Sequence, residues 1–500
     1  MLIPLKIPPG VVRRGTEYQS AGRWYDVNLV RWVDGILQPI GGWQVLKDGS
    51  SPPVDLQVTG KARGSHSWVG TSSASYLAIG THSKLYAFSG TALFDITPSG
   101  LAAGREDSAN SGGYGYSTYG YGSYGTPRTT AALFDTATTW TLDNFGNYLL
   151  GIHSDDGRLF VWQNSYTTAA APVTASAGTV PTNSKALIVT EERFVFVLAA
   201  DGNPRLVRWC DQEDYTNWAV TATTQAGDFE LQTSGRLRAG KKIRGGVLLW
   251  TEDDVHLCRY IGPPLVYGFE RLATGCGIIS PHAAQTADGV AYWLAEGGFF
   301  AFDGAVRQVQ CDVWDYLRTR INRGQADKIH AVRVPDYGEI QWFYPSTNST
   351  EIDSYVLYNY QTGVWSMGAC ARTTGLPKGA YSNQLYVAPN GKIYEHEIGN
   401  LYSGDTPHVQ SGPVEVMGGE QVLRVSKVIP DERSLGDLSL TFKARLYPTS
   451  DEVSDGPYTL TNPTSVRVTG RQFSVRLDGA EGVDWRLGDF RVAVKALGAR

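Results

Sequence analysis

The chain is predicted to be all-β, a β-propeller of six or seven blades with an N-terminal arm and a C-terminal antiparallel β-sandwich. Three observations predict it. Hairpin-like units, each a run of β-formers, a short polar or glycine turn and a second β run, start near residues 76, 148, 186, 245, 289, 338 and 383, and repetition of one such unit marks a propeller or solenoid. Charged residues are only 19% of the 500, while 57 Gly, 27 Tyr and 14 Trp suit a turn-rich β protein rather than a disordered one. From about Gly412 the pattern changes to long strands alternating apolar and polar side chains, as in Leu440, Phe442, Ala444 and Leu446 against Thr441, Lys443 and Arg445, which is the pattern of sheets with one wet face.

These patterns divide the chain into an N-terminal arm with first strands (1–60), a propeller (61–410) and a sandwich acting as a docking domain (411–500). The arm sets Trp24, Trp32 and Trp43 among arginines, either as Arg-aromatic stacks that lock an extended segment or as edge strands closing the first sheet. The repeats begin at Tyr76–Phe88 and are interrupted near 101–130 by Gly112–Gly125, in which Tyr114, Tyr116, Tyr119, Tyr121 and Tyr124 alternate with Gly and Ser. That composition suits a sticky loop touching a neighbouring subunit or a channel, or a disordered surface loop.

The unit from Gly245 to Val309 holds two of the clearest hairpins, with Gly245–Tyr260 followed by Gly289–Val309. Cys311–Asn322 is predicted as a short helix because Val313, Leu317 and Ile321 fall on one stripe. Pro389-Asn-Gly391 reads as a hairpin turn, since Asn and Gly tolerate positive φ.

Gly15-Thr-Glu-Tyr-Gln, Gly22-Arg-Trp-Tyr-Asp, Asn28-Leu-Val-Arg-Trp and Gly41-Gly-Trp resemble the opening of the tail nozzle, or tail hub, proteins of short-tailed bacteriophages (podoviruses), the packaged-DNA stabilisation group. The likeness continues through Gly227-Asp-Phe-Glu-Leu231, the Gly245–Gly304 region and Gly470–Gly488. The resemblance implies a structural virion protein assembled in the host cytoplasm. It would form a homo-oligomeric ring, of six copies in this reading, below the portal on the tail adaptor ring. Needle, plug or fibre proteins would attach to it, and duplex DNA would pass transiently at ejection. It also favours contact for the Tyr/Gly segment, and a docking role for Arg467, Arg471, Arg476, Arg486 and Arg491, which are expected to give the sandwich a basic face that meets an acidic partner.

No catalytic site is predicted, and the chain is expected not to be an enzyme. Glu252-Asp-Asp254 and Asp211–Asp214 offer paired carboxylates of the kind glycoside cleavage needs, but both fall in expected turns. Ser154-Asp-Asp-Gly157 resembles a degenerate Asp box, a turn staple. The eight histidines and five cysteines show no metal-ligand or disulfide spacing, so no metal, cofactor or disulfide framework is expected. A net charge of -5 opposes a dominant nucleic-acid-gripping surface. Prolines interrupt the first ten residues and no run of about 18 apolar residues occurs, so neither a signal peptide nor a membrane span is expected. The alternative from another class is a carbohydrate-binding or carbohydrate-active propeller, with Trp250, Trp293 and Trp342 stacking on sugars.

Overall fold

A computed structural model describes residues 1–110, 134–415, 421–430 and 436–498. Seven four-stranded antiparallel sheets make a propeller. Their innermost strands are Ala62–Val69, Trp140–Phe145, Ala186–Val189, Leu237–Ile243, Ala284–Ala287, His330–Val334 and Thr374–Leu376, numbered here as blades 1 to 7. Each innermost strand packs on the next and the seventh packs on the first, so the ring is closed. The seven predicted hairpins fall one to a blade, six of them away from the axis and one, Ala186–Leu198, on it.

Closure is made by the N-terminal part of the chain. Blade 7 takes three strands from residues 374–396 and its outermost strand from Trp43–Val45, with Trp43 opposite His396 and Val45 opposite Tyr394. The edge-strand expectation for this segment is therefore right in kind but wrong in place: it completes the last blade, not the first. Gly41-Gly-Trp43 is glycine-rich because the chain passes against backbone there. A Cβ on Gly41 would lie 2.4 Å from Glu397 Cα, and one on Gly42 would lie 2.5 Å from Leu401 N.

Residues 1–60 are shared between both bodies. Leu2–Leu5 is an edge of one sandwich sheet, in the order Leu2–Leu5, Phe490–Gly498, Val422–Ile429, Thr464–Gly470. Trp24–Asn28 is an edge of the other, next to His408–Ser411, Gln472–Gly479, Leu438–Arg445 and Val453–Thr459. Leu440, Phe442 and Ala444 face the sandwich core as predicted, while Leu446 lies beyond the strand end and is exposed. A single apolar cluster runs from Leu440 and Phe442 through Trp24 and Trp32 to Trp250, Trp293 and Trp342 of the blades, so the two bodies share a core.

Tryptophans wedge the blades together. The Trp140 indole N–H donates to the Thr81 carbonyl of blade 1 at 2.8 Å, and that of Trp342 donates to Ala283 O, before blade 5, at 2.9 Å. A buried indole N–H needs such a partner, and the ring fills the gap between twisted sheets. The predicted helix is Trp314–Arg320, with Val313, Leu317 and Ile321 all buried. Asn390-Gly391 makes the predicted turn, with Gly391 at φ +82° and its N–H donating to Ala388 O.

Candidate functional site

Three places in the molecule combine polar side chains with access to a ligand or a partner. The first is the propeller axis. Small and polar side chains of the innermost strands line a cavity of about 370 Å³, among them Ser65, His66, Asp143, Lys241, Lys242 and Gln285. Asp143 is held by the Val189 N–H at 2.9 Å and by the Lys242 ammonium at 3.1 Å, with His66 at 3.8 Å. Burial dominates the titration of this lining, lowering the Lys241 pKa to about 8 and the His282 pKa to about 4.

The second lies where the innermost strands begin. Here Arg63 of blade 1 forks Glu351 at 3.1 and 2.6 Å, Lys328 donates to Asp107, and Arg238 of blade 4 joins Asp327 to Glu252, the latter at 3.2 Å. These pairs tie the end of the segment Arg323–Lys328 to Asp107 and to Arg238 of blade 4. Beside it a cleft of about 400 Å³ is lined by Glu252, Asp327, Arg236, Arg238, Lys185 and Asn183. Desolvation raises the Asp327 pKa, while Arg238 opposes the rise. A carboxyl biased to its protonated form beside a second carboxylate is a general-acid arrangement in principle. The shared Arg238 ties both groups to one cation.

The third is the outer face of the sandwich sheet that begins with Leu2–Leu5. Arg424, Lys427, Arg467, Arg491 and Lys495 are exposed on it, and among the described residues its four strands carry no Asp or Glu. Arg424 stands directly opposite Lys495 across the strands, a like-charge pair that opposes pairing.

The arginines expected to share a face divide. Arg467 and Arg491 lie on this outer face, whereas Arg476 is on the other sheet and forks Asp478 at 2.7–3.1 Å. Arg486 pairs with Asp484 at 3.8 Å, and Arg471 sits 5.0 Å from the Tyr447 ring. Sequence reading missed Arg424, Lys427 and Lys495, although their alternation with Leu423, Val425 and Val494 is visible. Tyr114, Tyr116, Tyr119, Tyr121 and Tyr124 lie outside the described residues.

Other candidates resolve as structural parts. Trp250, Trp293 and Trp342 are 0–1% exposed, which removes them as sugar platforms. Asp156 forks Arg158, Asp211 accepts from the Gln225 N–H at 2.7 Å, and Asp214 accepts from Thr216, so these carboxylates staple turns. Among the described residues no group of three or more His, Cys, Asp or Glu is placed to hold a metal, and no helix is long and apolar enough to cross a membrane.

Residues of the N-terminal opening cluster around a buried arginine. Arg31, 1% exposed, forks Glu397 at 2.8 and 2.6 Å, reaches Glu339 at 3.1 Å and stacks 3.7 Å from the Tyr337 ring centre. Arg13 stacks between Tyr25 and Tyr316. The expected arginine–aromatic stacks therefore exist, on Tyr25, Tyr316 and Tyr337 and, through Arg372, on Trp43 at 4.8 Å. The opening is the brace between sandwich and blades 6 and 7.

No protein-family model and no curated protein matches the chain. Similar solved structures include the extracellular domain of a hybrid two-component system protein of B. thetaiotaomicron, 9% identical, covering 96% of this chain and 62% of that one, with a TM-score of 0.44. They also include the exo-β-1,3-galactanase of Phanerochaete chrysosporium with galactose, at 12% identity, 91% and 100% coverage and a TM-score of 0.29. A gluconolactonase follows at 11%, 73% and 98%, and 0.33. The expectation that the chain is not an enzyme is corrected by this comparison, because the galactanase and a glycoside hydrolase stand among the similar structures. At these identities and scores the likeness says nothing of a substrate or a mechanism.

Proposed function

We propose that this chain is a ring-forming subunit of a short phage tail, the nozzle below the portal, whose sandwich docks on the adaptor ring. The observation that carries the reading is the acid-free cationic face of Arg424, Lys427, Arg467, Arg491 and Lys495 on a chain of net charge -5. A face that sets Arg424 against Lys495 is relieved by an acidic partner. The resemblance of the opening names that partner as the adaptor. Innermost-strand side chains narrow the propeller axis to a cavity of about 370 Å³, so a passage for duplex DNA belongs between subunits of a ring, not within one propeller.

The test is charge reversal on exposed positions. The double variant Arg424→Glu, Lys495→Glu should fold as the parent does, and its affinity for purified adaptor ring should drop at least about ten-fold at low salt, with the difference shrinking as salt rises. Attachment unchanged by the double reversal would refute the docking surface.

The cleft beside blades 2 to 4 favours a second reading, a carbohydrate-active propeller with Asp327 as acid and Glu252 as its partner. Hydrolysis of a β-galactan or aryl galactoside by the purified chain, lost in Asp327→Asn and in Glu252→Gln, would establish it in place of the nozzle.

A further inference from the structure

We propose that the central channel of the propeller is a binding site for a small anion bearing a carboxylate or phosphate group, with Lys241 as its principal anchor. Few charges line the cavity. Its lining holds two lysines and one carboxylate, Asp143. That carboxylate is already taken: Lys242 lies 3.1 Å from one oxygen and 3.2 Å from the other, and the backbone N–H of Val189 donates to it at 2.9 Å. Lys241 is left over. Among the described residues it has no hydrogen-bond or ion-pair partner; the charge of Asp143, already paired with Lys242, favours its ammonium, and those of Lys242 and Arg333 oppose it.

A lysine ammonium away from bulk water is normally paired or reaches out to solvent on its flexible stem. The innermost strand of blade 4 instead sets Lys241 in a lining shared with Ser65, Gln285, Thr374 and three histidines, His66, His282 and His330. The Nε2 of His282 and both ring nitrogens of His330, which is 4% exposed, are buried with no hydrogen-bond partner. A polar group buried without a partner costs on the order of 1–3 kcal/mol, so the unpartnered His282 Nε2 near the Lys241 ammonium marks a place for something that accepts hydrogen bonds and carries negative charge. Burial lowers the Lys241 pKa to about 8, so at pH 7 the ammonium remains largely protonated and can pair. The volume, about 370 Å³, is at the small end of ligand pockets, which span about 300–1,000 Å³, and suits inorganic phosphate or a single acidic sugar rather than a polymer.

The proposal is independent of the nozzle reading, since it concerns the axis of one propeller and not a subunit interface. Isothermal titration of the full chain at pH 7 with inorganic phosphate, glucuronate and uncharged glucose tests it. Phosphate or glucuronate should bind, each in competition with the other, and glucose should not. Binding of phosphate alone would assign a phosphate ligand, and binding of both would admit carboxylates. In Lys241→Met the affinity should fall at least about ten-fold, the loss of one charge-assisted contact, while the melting temperature of the ligand-free variant stays level or rises because an unpaired, half-buried charge is gone. Should that variant not fold, the wild-type melting temperature decides: phosphate must raise it above sodium chloride at equal ionic strength. Glucose binding as well as glucuronate, equal affinity in Lys241→Met, or no heat and no melting shift with either anion up to about 10 mM overturns the proposal.

Discussion

Replacing Arg31 by methionine removes the one cation from a buried triad and leaves Glu339 and Glu397 facing each other. Arg31 is 1% exposed, its two terminal nitrogens fork Glu397 at 2.8 and 2.6 Å, and Glu339 lies 3.1 Å away with its Oε2 lacking a hydrogen bond of good geometry. Removing one partner of a buried ion pair costs about 3–5 kcal/mol because the remaining charge is uncompensated. Desolvation, reinforced by Glu397 and opposed by Arg31, raises the Glu339 pKa from 4.5 to about 7 in the folded chain. The folded state thus holds the proton more tightly than the unfolded one. Its contribution is fully present below pH 4.5 and is lost as pH rises to about 7. Without Arg31, which opposes the rise, the Glu339 carboxyl is pushed further up, so the variant's deficit should be largest at pH 8 and smaller at pH 5, where its protonation removes the repulsion. Urea unfolding followed by tryptophan fluorescence at the two pH values measures it. A deficit below about 1 kcal/mol at pH 8, or equal deficits at pH 5 and pH 8, would refute the triad as the brace between sandwich and propeller.

Glu339→Gln keeps the shape and removes the titration, so the fall in stability between pH 4.5 and about 7 should flatten by on the order of 1–3 kcal/mol, read by the same unfolding series. Gly64→Ala should destabilise by about 1–3 kcal/mol, because its Cβ would sit 2.3 Å from the Trp140 carbonyl oxygen where blade 2 meets blade 1; a neutral variant would contradict that contact. Cys210, Cys258, Cys276 and Cys370 are buried and Cys311 half-buried, and desolvation raises every one of their pKa values. Titration with a disulfide reagent at pH 8 should find no more than one thiol reacting in the folded chain and all five after unfolding.

The blades were legible because each carries a local signal, a hairpin of β-formers around a turn such as Asn390-Gly391. What was not legible is long-range. Nothing local in Trp43-Gln-Val45 says that it pairs with Ile393–His396, and strand pairing across such a separation is set by the whole ring closing. The Asp34-Gly35 dipeptide, both residues at positive φ, carries a two-residue hairpin signal that the reading of the arm passed over in favour of its tryptophans. The sites were harder still. Lys241, Asp143 and His66 come from three blades and meet only at the axis, and Ser65-His66-Ser67 looks like any polar strand until the ring places it there. For the basic sheet face the reverse holds, since alternation along Val422–Ile429 and Phe490–Gly498 already separated cations from core. Counting arginines alone mixed that face with Arg476 and Arg486, which their own neighbours Asp478 and Asp484 occupy.

The most direct measurement of the proposed role is electron microscopy of the purified chain alone and after mixing with a tail adaptor ring. The nozzle account predicts closed rings with rotational symmetry and an axial channel wide enough for duplex DNA, lying between propellers and seated on the adaptor through the sandwich. Single particles that stay monomeric and ignore the adaptor would contradict it.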